Sequence, residues 1–334
     1  MNTAARISIL GAGSWGTALA ILLARKGLDV CLWSVDTNEL APLTRERENR
    51  QYLPGISFPD SLVVEPNLKN LTAVAGDVLV AVPSHGFRAT LQLLAEHPPE
   101  NLRLAWATKG FEHDTGKLLH QVAEEILGKS VPLAVISGPT FAREVATGAP
   151  TAVTVAANDP AFAHDLALRL HTNTFRAYTS DDLTGVETGG AVKNVIAIGC
   201  GLSDGLKCGA NARAALITRG LVEITRLGLK LGARAETFQG LAGLGDLVLT
   251  CTDDQSRNRR MGLGLAAGKE RKTVEREIGQ VVEGVYAAEA AHRLARRLGV
   301  EMPITEQIYR ILHENVSPRT AVEALMTRAL KPET

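Results

Sequence analysis

The sequence carries no excess of either charge. Its 334 residues include 36 lysines and arginines against 36 aspartates and glutamates, so the formal net charge is zero. Binding to nucleic acid depends on a basic face that neutralises phosphates, and this balance does not favour one. No apolar run approaches the roughly 18 residues that span a membrane, and the N-terminus runs into a predicted strand without a signal-peptide pattern. We therefore predict a cytoplasmic protein with no nucleic-acid partner and no membrane span.

Cysteine is scarce and unpatterned. The four cysteines are Cys31, Cys200, Cys208 and Cys251. They form no CxxC pair, and no histidine cluster joins them at the spacing of zinc ligands. The sequence therefore predicts reduced cysteines in the core or in helices, and no metal site.

The first half of the chain alternates short apolar runs with segments of helical length. This alternation is typical of parallel strands joined by helices. Helices are predicted over 16–26 and 37–49, and a loop over 52–60. The predicted strands are 7–10, 30–33, 78–82, 102–107, 133–136 and 152–156.

From about Glu187 the apolar residues follow helical spacing instead. Helices are predicted over 191–206, 212–231, 286–297 and 305–314. A boundary near 181–190 is expected because Asp181, Asp182 and Gly185 interrupt the apolar pattern. We predict an α/β Rossmann-type domain with a mostly parallel sheet over 1–186, and an all-α substrate-binding and catalytic domain over 187–334.

A glycine-rich segment, Gly11-Ala12-Gly13-Ser14-Trp15-Gly16, follows the first predicted strand and opens a predicted helix. Gly11 permits a tight turn, Gly13 lets backbone N–H groups approach a pyrophosphate, and Gly16 lets the helix lie close to the strand. The helix N-terminus adds unpaired donors and a positive dipole end. A purely structural glycine turn is the alternative, but the strand–turn–helix context favours dinucleotide binding.

The choice between NAD and NADP stays open at this point. Asp36 lies where a carboxylate often binds the ribose 2′-hydroxyl of NAD. It also begins Asp36-Thr37-Asn38-Glu39, a sequence typical of a helix N-cap, and the cap is the favoured interpretation.

Polar residues also follow other predicted strands, where ligands of open α/β sheets gather. Lys109 follows one strand directly and precedes Gly110, so its ammonium could enter a crevice, although a surface lysine is the common alternative. Gly138 and Thr140 follow another. His85 follows a third, where a solvated or capping histidine is more usual than a catalytic one.

Two polar groups stand out in the helical half. Lys193 and Asn194 lie in an apolar helix rich in small residues, and a buried ammonium there needs a carboxylate, a ligand or solvent. The bland alternative is a lysine that reaches solvent from the start of the helix. Glycines around Asp246 could let it sit buried and orient a lysine. Arg257 and Asn258 could bind a phosphate, unless the arginines near them form a solvated or RNA-binding face.

Several motifs in fixed order resemble those of the bacterial-type NAD(P)-dependent glycerol-3-phosphate dehydrogenases. The motifs cover nearly the whole chain. They are GAGSWGTALA near the start, ATKGFE at 107–112, SGPTFAREVA at 137–146, GAVKNVIAIG at 190–199, GLAGLGDLVLTCTDDQSRNRR at 240–260 and VVEGVYAA at 281–288.

The resemblance implies reversible reduction of dihydroxyacetone phosphate to sn-glycerol 3-phosphate for phospholipid synthesis, with NAD or NADP as cofactor, in a homodimer. Lys193 resembles the general acid/base, and Lys109 a lysine that contacts both substrate and cofactor. The other implied substrate residues are Gly138, Thr140, Asn194, Asp246, Ser256, Arg257 and Asn258. The implied cofactor residues are Gly11, Gly13, Ser14, Trp15, Gly16, Lys109, Ala142, Arg257, Val281 and Glu283.

One position departs from the family pattern. Many relatives carry a basic residue, suited to the 2′-phosphate of NADP, where this chain has Val35, so a strong NADPH preference is in doubt. Two other functions remain as alternatives: a dehydrogenase of the 3-hydroxyacid or 6-phosphogluconate type, and a non-catalytic dinucleotide sensor. A sensor would not need Lys109, Lys193, Asp246 and Arg257 together.

Overall fold

The computed structural model describes residues 6–73, 75–330 and 332. The chain folds as two compact units. The first comprises residues up to 112 together with 117–187, and the second comprises 113–116 together with the residues from 188 onward. The boundary between the two predicted domains, 1–186 and 187–334, stays a prediction.

The first unit is built on one eight-stranded sheet. The strand order is β3-β2-β1-β4-β5-β6-β7-β8, and neighbouring strands are parallel except for the antiparallel pair β6 and β7. The mostly parallel Rossmann-type sheet predicted from the sequence is therefore confirmed. The strands are Arg6–Leu10 (β1), Val30–Trp33 (β2), Leu62–Val64 (β3), Ala75–Val80 (β4), Arg103–Trp106 (β5), Leu133–Ser137 (β6), Thr151–Ala157 (β7) and Phe175–Ser180 (β8).

Seven helices connect these strands. Apolar side chains of the first helix and of the central strands form one continuous core, because strands covered on both faces bury nearly every residue. The helices are Ser14–Arg25 (α1), Thr37–Glu46 (α2), Leu68–Ala73 (α3), Ser84–Glu96 (α4), Leu119–Leu127 (α5), Ala142–Thr147 (α6) and Pro160–Leu170 (α7).

One predicted strand is displaced along the chain, and two strands, β3 and β8, were not predicted. Strand β4 lies at 75–80 rather than 78–82. Strand β3 has only three residues, too few for a recognisable apolar run. In β8 only Phe175 is fully buried, because β8 is an edge strand with polar side chains, so it lacks the apolar signal of a central strand.

The described residues of the second unit form helices and the loops between them, with no strand, as predicted. Its helices are Leu183–Gly205 (α8, which begins in the first unit), Gly209–Lys230 (α9), Ala235–Gln239 (α10), Asp246–Thr252 (α11), Arg257–Ala266 (α12), Arg271–Ile278 (α13), Glu283–Leu298 (α14), Pro303–His313 (α15) and Pro318–Met326 (α16). A π-helical turn, Leu241–Gly245, leads directly into α11.

Helix α8 begins at Leu183, earlier than the helix predicted over 191–206. It runs unbroken from there to Gly205, and Asp182 caps its start by accepting a hydrogen bond from the Gly185 N–H at 2.9 Å. A Cβ at Gly189 would lie 2.6 Å from the Ala242 carbonyl oxygen. The glycine in this stretch therefore serves close contact between α8 and the π turn rather than a break in the helix.

The cysteines are all free thiols. Cys31, Cys200 and Cys251 are buried, but Cys208 is exposed at the N-terminal end of α9, which corrects the expectation that all four lie in core or helix positions. A hydrogen bond with Cys200 and burial hold the pKa of the Cys251 thiol well above its usual range. Cys251 is therefore a packed, protonated thiol.

Two features are absent from the described ranges. No helix there combines the length and apolar character that crossing a bilayer requires. No group of three or more histidine, cysteine, aspartate or glutamate side chains could hold a metal ion in the same ranges.

Candidate active site

The glycine-rich loop joins β1 to α1 under tight steric limits. Gly11 has a φ of 121°, and its N–H donates to the Trp33 carbonyl oxygen at 2.8 Å. A Cβ at Gly16 would lie 1.9 Å from the Gly11 carbonyl oxygen. These two positions therefore admit only glycine without a shift of the backbone.

Gly13 has the opposite surroundings. A Cβ there would meet nothing within 4 Å, and Gly13 is the N-cap of α1, without a side-chain cap. The loop thus leaves open space before uncapped N–H groups at a helix N-terminus, which is what a bound pyrophosphate requires. These residues fit the phosphates of a dinucleotide.

The end of β2 is polar. Asp36 is the N-cap of α2, and its Oδ1 accepts hydrogen bonds from the Asn38 backbone N–H at 2.9 Å and from Asn38 Nδ2 at 3.0 Å. The capping interpretation of Asp36 is therefore confirmed. Capping does not exclude a ribose contact, since a carboxylate has a second oxygen.

Lys109 and the loop after β6 come together in the first unit. Lys109 Nζ donates to the Gly138 carbonyl oxygen at 2.9 Å, and Thr140 Oγ1 donates to the same oxygen at 3.2 Å. Gly138 has a φ of 153° and packs against the backbone of Val153. The loop therefore holds the Lys109 ammonium at the carboxyl end of the parallel strands. Ala142 begins α6 just beyond this loop.

Lys193 forms a buried ion pair in the second unit. The Lys193 residue is 6% exposed, and its Nζ donates to Asp246 Oδ1 at 2.6 Å and to Thr250 Oγ1 at 2.7 Å. Thr250 Oγ1 in turn donates to the Asp246 carbonyl oxygen at 2.6 Å. Lys193 therefore does not reach bulk solvent, and its ammonium is held by a carboxylate that is itself 1% exposed.

Asn194, the residue after Lys193, belongs to a second group of hydrogen-bonded side chains. Asn258 Nδ2 donates to Asn194 Oδ1 at 2.8 Å, while Asn258 Oδ1 accepts from the Gly284 N–H at 2.9 Å. Asn194 Nδ2 donates back to the Gly190 carbonyl oxygen at 3.3 Å. The two amides thus link α8, α12 and the start of α14.

The remaining predicted residues lie at helix starts. Ser256 caps α12 by accepting from the Arg259 N–H at 3.2 Å, and Glu283 begins α14, two residues after Val281. Arg257 Nη1 donates to Gln280 Oε1 at 3.3 Å, and burial lowers the pKa of its guanidinium. A partly desolvated guanidinium of this kind favours an anionic ligand.

Two residues of the site were missed in the sequence. Thr250 carries no charge, although its position four residues after Asp246 places both on one helix face. Asn49 lies far from the glycine loop in sequence, yet its Nδ2 donates to the Ala12 carbonyl oxygen at 2.7 Å and to Thr17 Oγ1 at 2.8 Å. A brace across that sequence distance leaves no local pattern.

Comparison with known proteins gives one consistent result. Residues 6–163 match the N-terminal model, and residues 182–323 the C-terminal model, of NAD-dependent glycerol-3-phosphate dehydrogenase. The glycerol-3-phosphate dehydrogenase [NAD(P)+] of Methylococcus capsulatus is 57% identical over 328 residues, 98% of each chain, and that of Shewanella frigidimarina is 55% identical over 335 residues, 100% of this chain and 99% of the relative. The crystal structure of the Coxiella burnetii glycerol-3-phosphate dehydrogenase superposes with a TM-score of 0.95 at 49% identity, covering 98% of this chain and 100% of that one. With both family models matched and relatives of this identity along its length, the chain belongs to the NAD-dependent glycerol-3-phosphate dehydrogenase family.

Proposed function

We propose that this protein catalyses the reversible reduction of dihydroxyacetone phosphate to sn-glycerol 3-phosphate with NADH or NADPH, and so supplies glycerophospholipid synthesis. The observation that carries the proposal is the buried Lys193–Asp246–Thr250 cluster, in a chain whose first unit also holds a dinucleotide-type glycine loop. A dinucleotide sensor has no need of a buried ammonium, whereas reduction of a ketone needs a proton donor.

Most of the proposed cofactor contacts belong to the first unit. Gly11, Gly13 and Gly16 shape the turn, the N–H groups at the start of α1 bind the pyrophosphate, and Ser14 and Trp15 lie in the first turn of that helix. Ala142, Val281, Glu283, Lys109 and Arg257 complete the proposed cofactor contacts. When bound, the nicotinamide supplies the hydride in reduction and takes it in oxidation.

Lys193 is the proposed general acid/base. As the ketone carbon gains hydride, its oxygen gains negative charge, which a neighbouring ammonium stabilises and then protonates. In the oxidation direction the neutral amine takes that proton back. Asp246 and Thr250 hold Nζ in one position and balance its charge, so little reorganisation is needed during the reaction.

Other groups orient the substrate. Arg257 is suited to the phosphate because its guanidinium matches phosphate oxygens in geometry and charge. Lys109, Gly138 and Thr140 are also proposed substrate contacts. The remaining proposed substrate contacts are Asn194, Asp246, Ser256 and Asn258. Orientation of this kind contributes through the entropy of bringing reactants together rather than through bond chemistry.

The test combines a substrate panel with one variant. We expect oxidation of NADH or NADPH with dihydroxyacetone phosphate, and far slower oxidation with 3-oxoacids. Reduction of NAD+ or NADP+ by 6-phosphogluconate should be similarly slow. Lys193→Ala is expected to lower turnover by about 100- to 10,000-fold, the usual contribution of a positioned acid or base, while dinucleotide affinity stays unchanged. Lys272→Ala, which removes an exposed lysine of the same unit, is the matched control. Near-normal turnover in Lys193→Ala would refute the role.

We further propose that two copies form a homodimer through the second unit. Helices α8, α9, α15 and α16 line an open cleft of about 1110 Å³, most of whose side chains are apolar. Leu229 and Met326, at its edge, are 51% and 80% exposed. Exposed apolar surface of this kind marks interaction sites.

Light scattering tests the dimer. Leu229→Glu and Met326→Glu together are expected to convert a dimer to a monomer, whereas Leu168→Glu, at an exposed leucine of the first unit, should not. A monomeric parent protein would overturn the proposal.

We place the protein in the cytoplasm, because its substrate and cofactor are charged phosphates that do not cross apolar barriers.

A further inference from the structure

Asn49 is a buried amide in the loop between α2 and β3. The residue is 2% exposed. Its Nδ2 donates to the Ala12 carbonyl oxygen at 2.7 Å and to Thr17 Oγ1 at 2.8 Å, and its Oδ1 accepts from the Tyr52 N–H at 3.1 Å. Both of its N–H donors are therefore used, and these three bonds fix the amide in one orientation.

The Ala12 carbonyl oxygen is the point where Asn49 meets the glycine-rich loop. Ala12 is 2% exposed, so its carbonyl oxygen needs a hydrogen-bond donor from the protein. Asn49 Nδ2 is one donor, and Thr17 Oγ1 donates to the same oxygen at the longer distance of 3.3 Å. Two donors therefore hold this oxygen on the buried side of the loop, with Asn49 making the shorter bond.

The direction of the Ala12 carbonyl sets the direction of the Gly13 N–H. The described residues contain no cis peptide bond, and in a trans peptide the C=O and N–H point in opposite directions. Because the oxygen faces Asn49 and Thr17, the Gly13 N–H points away from both. Within the described ranges this N–H donates to no protein atom, and Gly13 itself is partly exposed. It is thus an unpaired donor at the start of α1, on the side where the pyrophosphate is proposed to bind.

This peptide could also adopt the reverse orientation. Gly13 has a φ of −70°, and a half-turn of the peptide between Ala12 and Gly13 would carry φ into the positive region, which glycine adopts readily. The half-turn would direct the N–H inward and present the carbonyl oxygen, with its partial negative charge, to the phosphates. The glycine that gives the loop its shape therefore does not by itself fix the direction of this donor.

We propose that Asn49 is a positioning residue for dinucleotide binding: by holding the Ala12 carbonyl oxygen on the buried side of the loop, it keeps the Gly13 N–H directed outward as a donor to the pyrophosphate. The inference rests on the proposed dinucleotide site. It goes beyond that site because it assigns a role to a buried side chain from a distant loop, which acts through the backbone of the glycine-rich turn. A hydrogen bond from N–H to an ionised phosphate is stronger than one between neutral groups, so its direction matters for affinity.

Two variants remove the Asn49 donor in different ways. Asn49→Asp keeps the shape of the side chain and an oxygen for the Tyr52 N–H, whereas Asn49→Ala removes the side chain without adding a charge. Both lose the bond to the Ala12 carbonyl oxygen. Each is expected to raise Kd for NADH at least about tenfold in isothermal titration calorimetry, because one hydrogen bond to a charged phosphate is lost.

Asn158→Asp is the matched control. The Asn158 amide also joins two backbone groups of the first unit, since its Oδ1 accepts from the Leu133 N–H at 2.8 Å and its Nδ2 donates to the Val131 carbonyl oxygen at 3.5 Å. Leu133 is the first residue of β6, so this amide lies at the amino end of the parallel strands, opposite the glycine-rich loop. The control variant should leave Kd for NADH unchanged.

A ligand series separates positioning from a general loss of structure. ADP-ribose contains the pyrophosphate and adenosine does not, and competition with NADH, followed by nicotinamide fluorescence, gives Kd for each. In both Asn49 variants ADP-ribose should weaken as much as NADH, whereas adenosine should stay within about twofold of its Kd for the parent protein. KM for NADH should rise with Kd, while kcat at saturating NADH stays within about twofold of the parent value, because the loop binds the pyrophosphate rather than the reacting atoms.

The parent protein offers a measurement that does not depend on the folding of the Asn49 variants. With an isotopic nitrogen label in glycine alone, the N–H resonance of Gly13 is identified by its absence from Gly13→Ala. ADP-ribose should shift this resonance, and adenosine should not. An unmoved resonance in protein saturated with ADP-ribose would overturn the proposed direction of the N–H.

The outcomes separate this inference from the proposed function. Parent-like Kd values for NADH and ADP-ribose in both Asn49 variants would overturn the positioning role, and so would equal losses of adenosine and ADP-ribose affinity. Either result leaves the dehydrogenase activity of the parent protein intact. Failure of the parent protein to bind NADH or NADPH would instead overturn the proposed function, and the role of Asn49 with it.

Discussion

The ion pair between Lys193 and Asp246 can be separated into its structural and chemical contributions by a double-mutant cycle. Lys193→Met removes the charge with little change of volume, and Asp246→Asn does the same for its partner. Because both residues are almost fully buried, either single change leaves the other residue's charge in the interior without the opposite charge of this pair. Loss of one partner of such a pair costs about 3–5 kcal/mol, or about 6–20 °C in Tm at the scale of a 150- to 250-residue domain.

The double variant should behave differently. With both charges gone, the penalty of the isolated charge disappears, so the double variant is expected to be more stable than either single variant. Differential scanning calorimetry of the four proteins measures this. All three variants should remain at least about 100-fold below the parent in kcat/KM, because the proton donor or the group that orients it is absent. The reasoning would be refuted if the two single changes cost less than about 1 kcal/mol each and added independently, or if the double variant recovered activity.

Three further changes probe other parts of the molecule. Gly13→Ala places a methyl group in open space, so it should leave Tm unchanged while raising Kd for the dinucleotide about tenfold. Gly16→Ala places a Cβ against the Gly11 carbonyl oxygen and should lower the free energy of unfolding by about 1–3 kcal/mol. Calorimetry with titration of NADH distinguishes the two variants, and equal effects of both would contradict the loop geometry. At saturating dinucleotide, so that a weaker cofactor contact does not enter, Arg257→Lys should raise KM for dihydroxyacetone phosphate at least about tenfold while leaving kcat/KM for unphosphorylated dihydroxyacetone unchanged. Parallel losses on both substrates under that condition would exclude a phosphate role. Burial raises the pKa of Glu223 to about 7, whereas its pKa in the unfolded chain is near 4.5, so between these values the native protein binds a proton that the unfolded chain does not. The free energy of unfolding should therefore fall by up to about 1.4 kcal/mol per pH unit from about pH 4.5 to about pH 7. Denaturant titrations at a series of pH values measure this slope, which should be absent in Glu223→Gln.

The parts of the fold that the sequence predicted are those with a strong local signal. Strand β2 was predicted at 30–33 and lies there because all four of its residues are buried, which makes an uninterrupted apolar run. Strand β8 had no such run, since it lies at the edge of the sheet and exposes polar side chains. The start of α8 at Leu183 was missed for a different reason. Asp181, Asp182 and Gly185 interrupt the apolar pattern, and only the folded chain shows that Asp182 caps the helix and that Gly189 packs closely against the π turn.

The candidate site divides in the same way. Lys193 and Asp246 could be singled out because a charged residue in an apolar, glycine-rich segment is conspicuous on its own. Their pairing depends on α8 meeting α11, which no spacing along the chain encodes. Thr250 and Asn49 were invisible for lack of charge, and both act through contacts that only the folded chain supplies.

The close contact between Gly189 and the Ala242 carbonyl oxygen fixes the position of α8 against the π turn. Lys193 lies one turn beyond Gly189, and Asp246 lies four residues beyond Ala242, so both halves of the ion pair are anchored beside one crossing point. The methyl group of an alanine at residue 189 would push α8 away from the π turn at this crossing point. Gly189→Ala is therefore expected to lower turnover, although residue 189 takes no part in proton transfer.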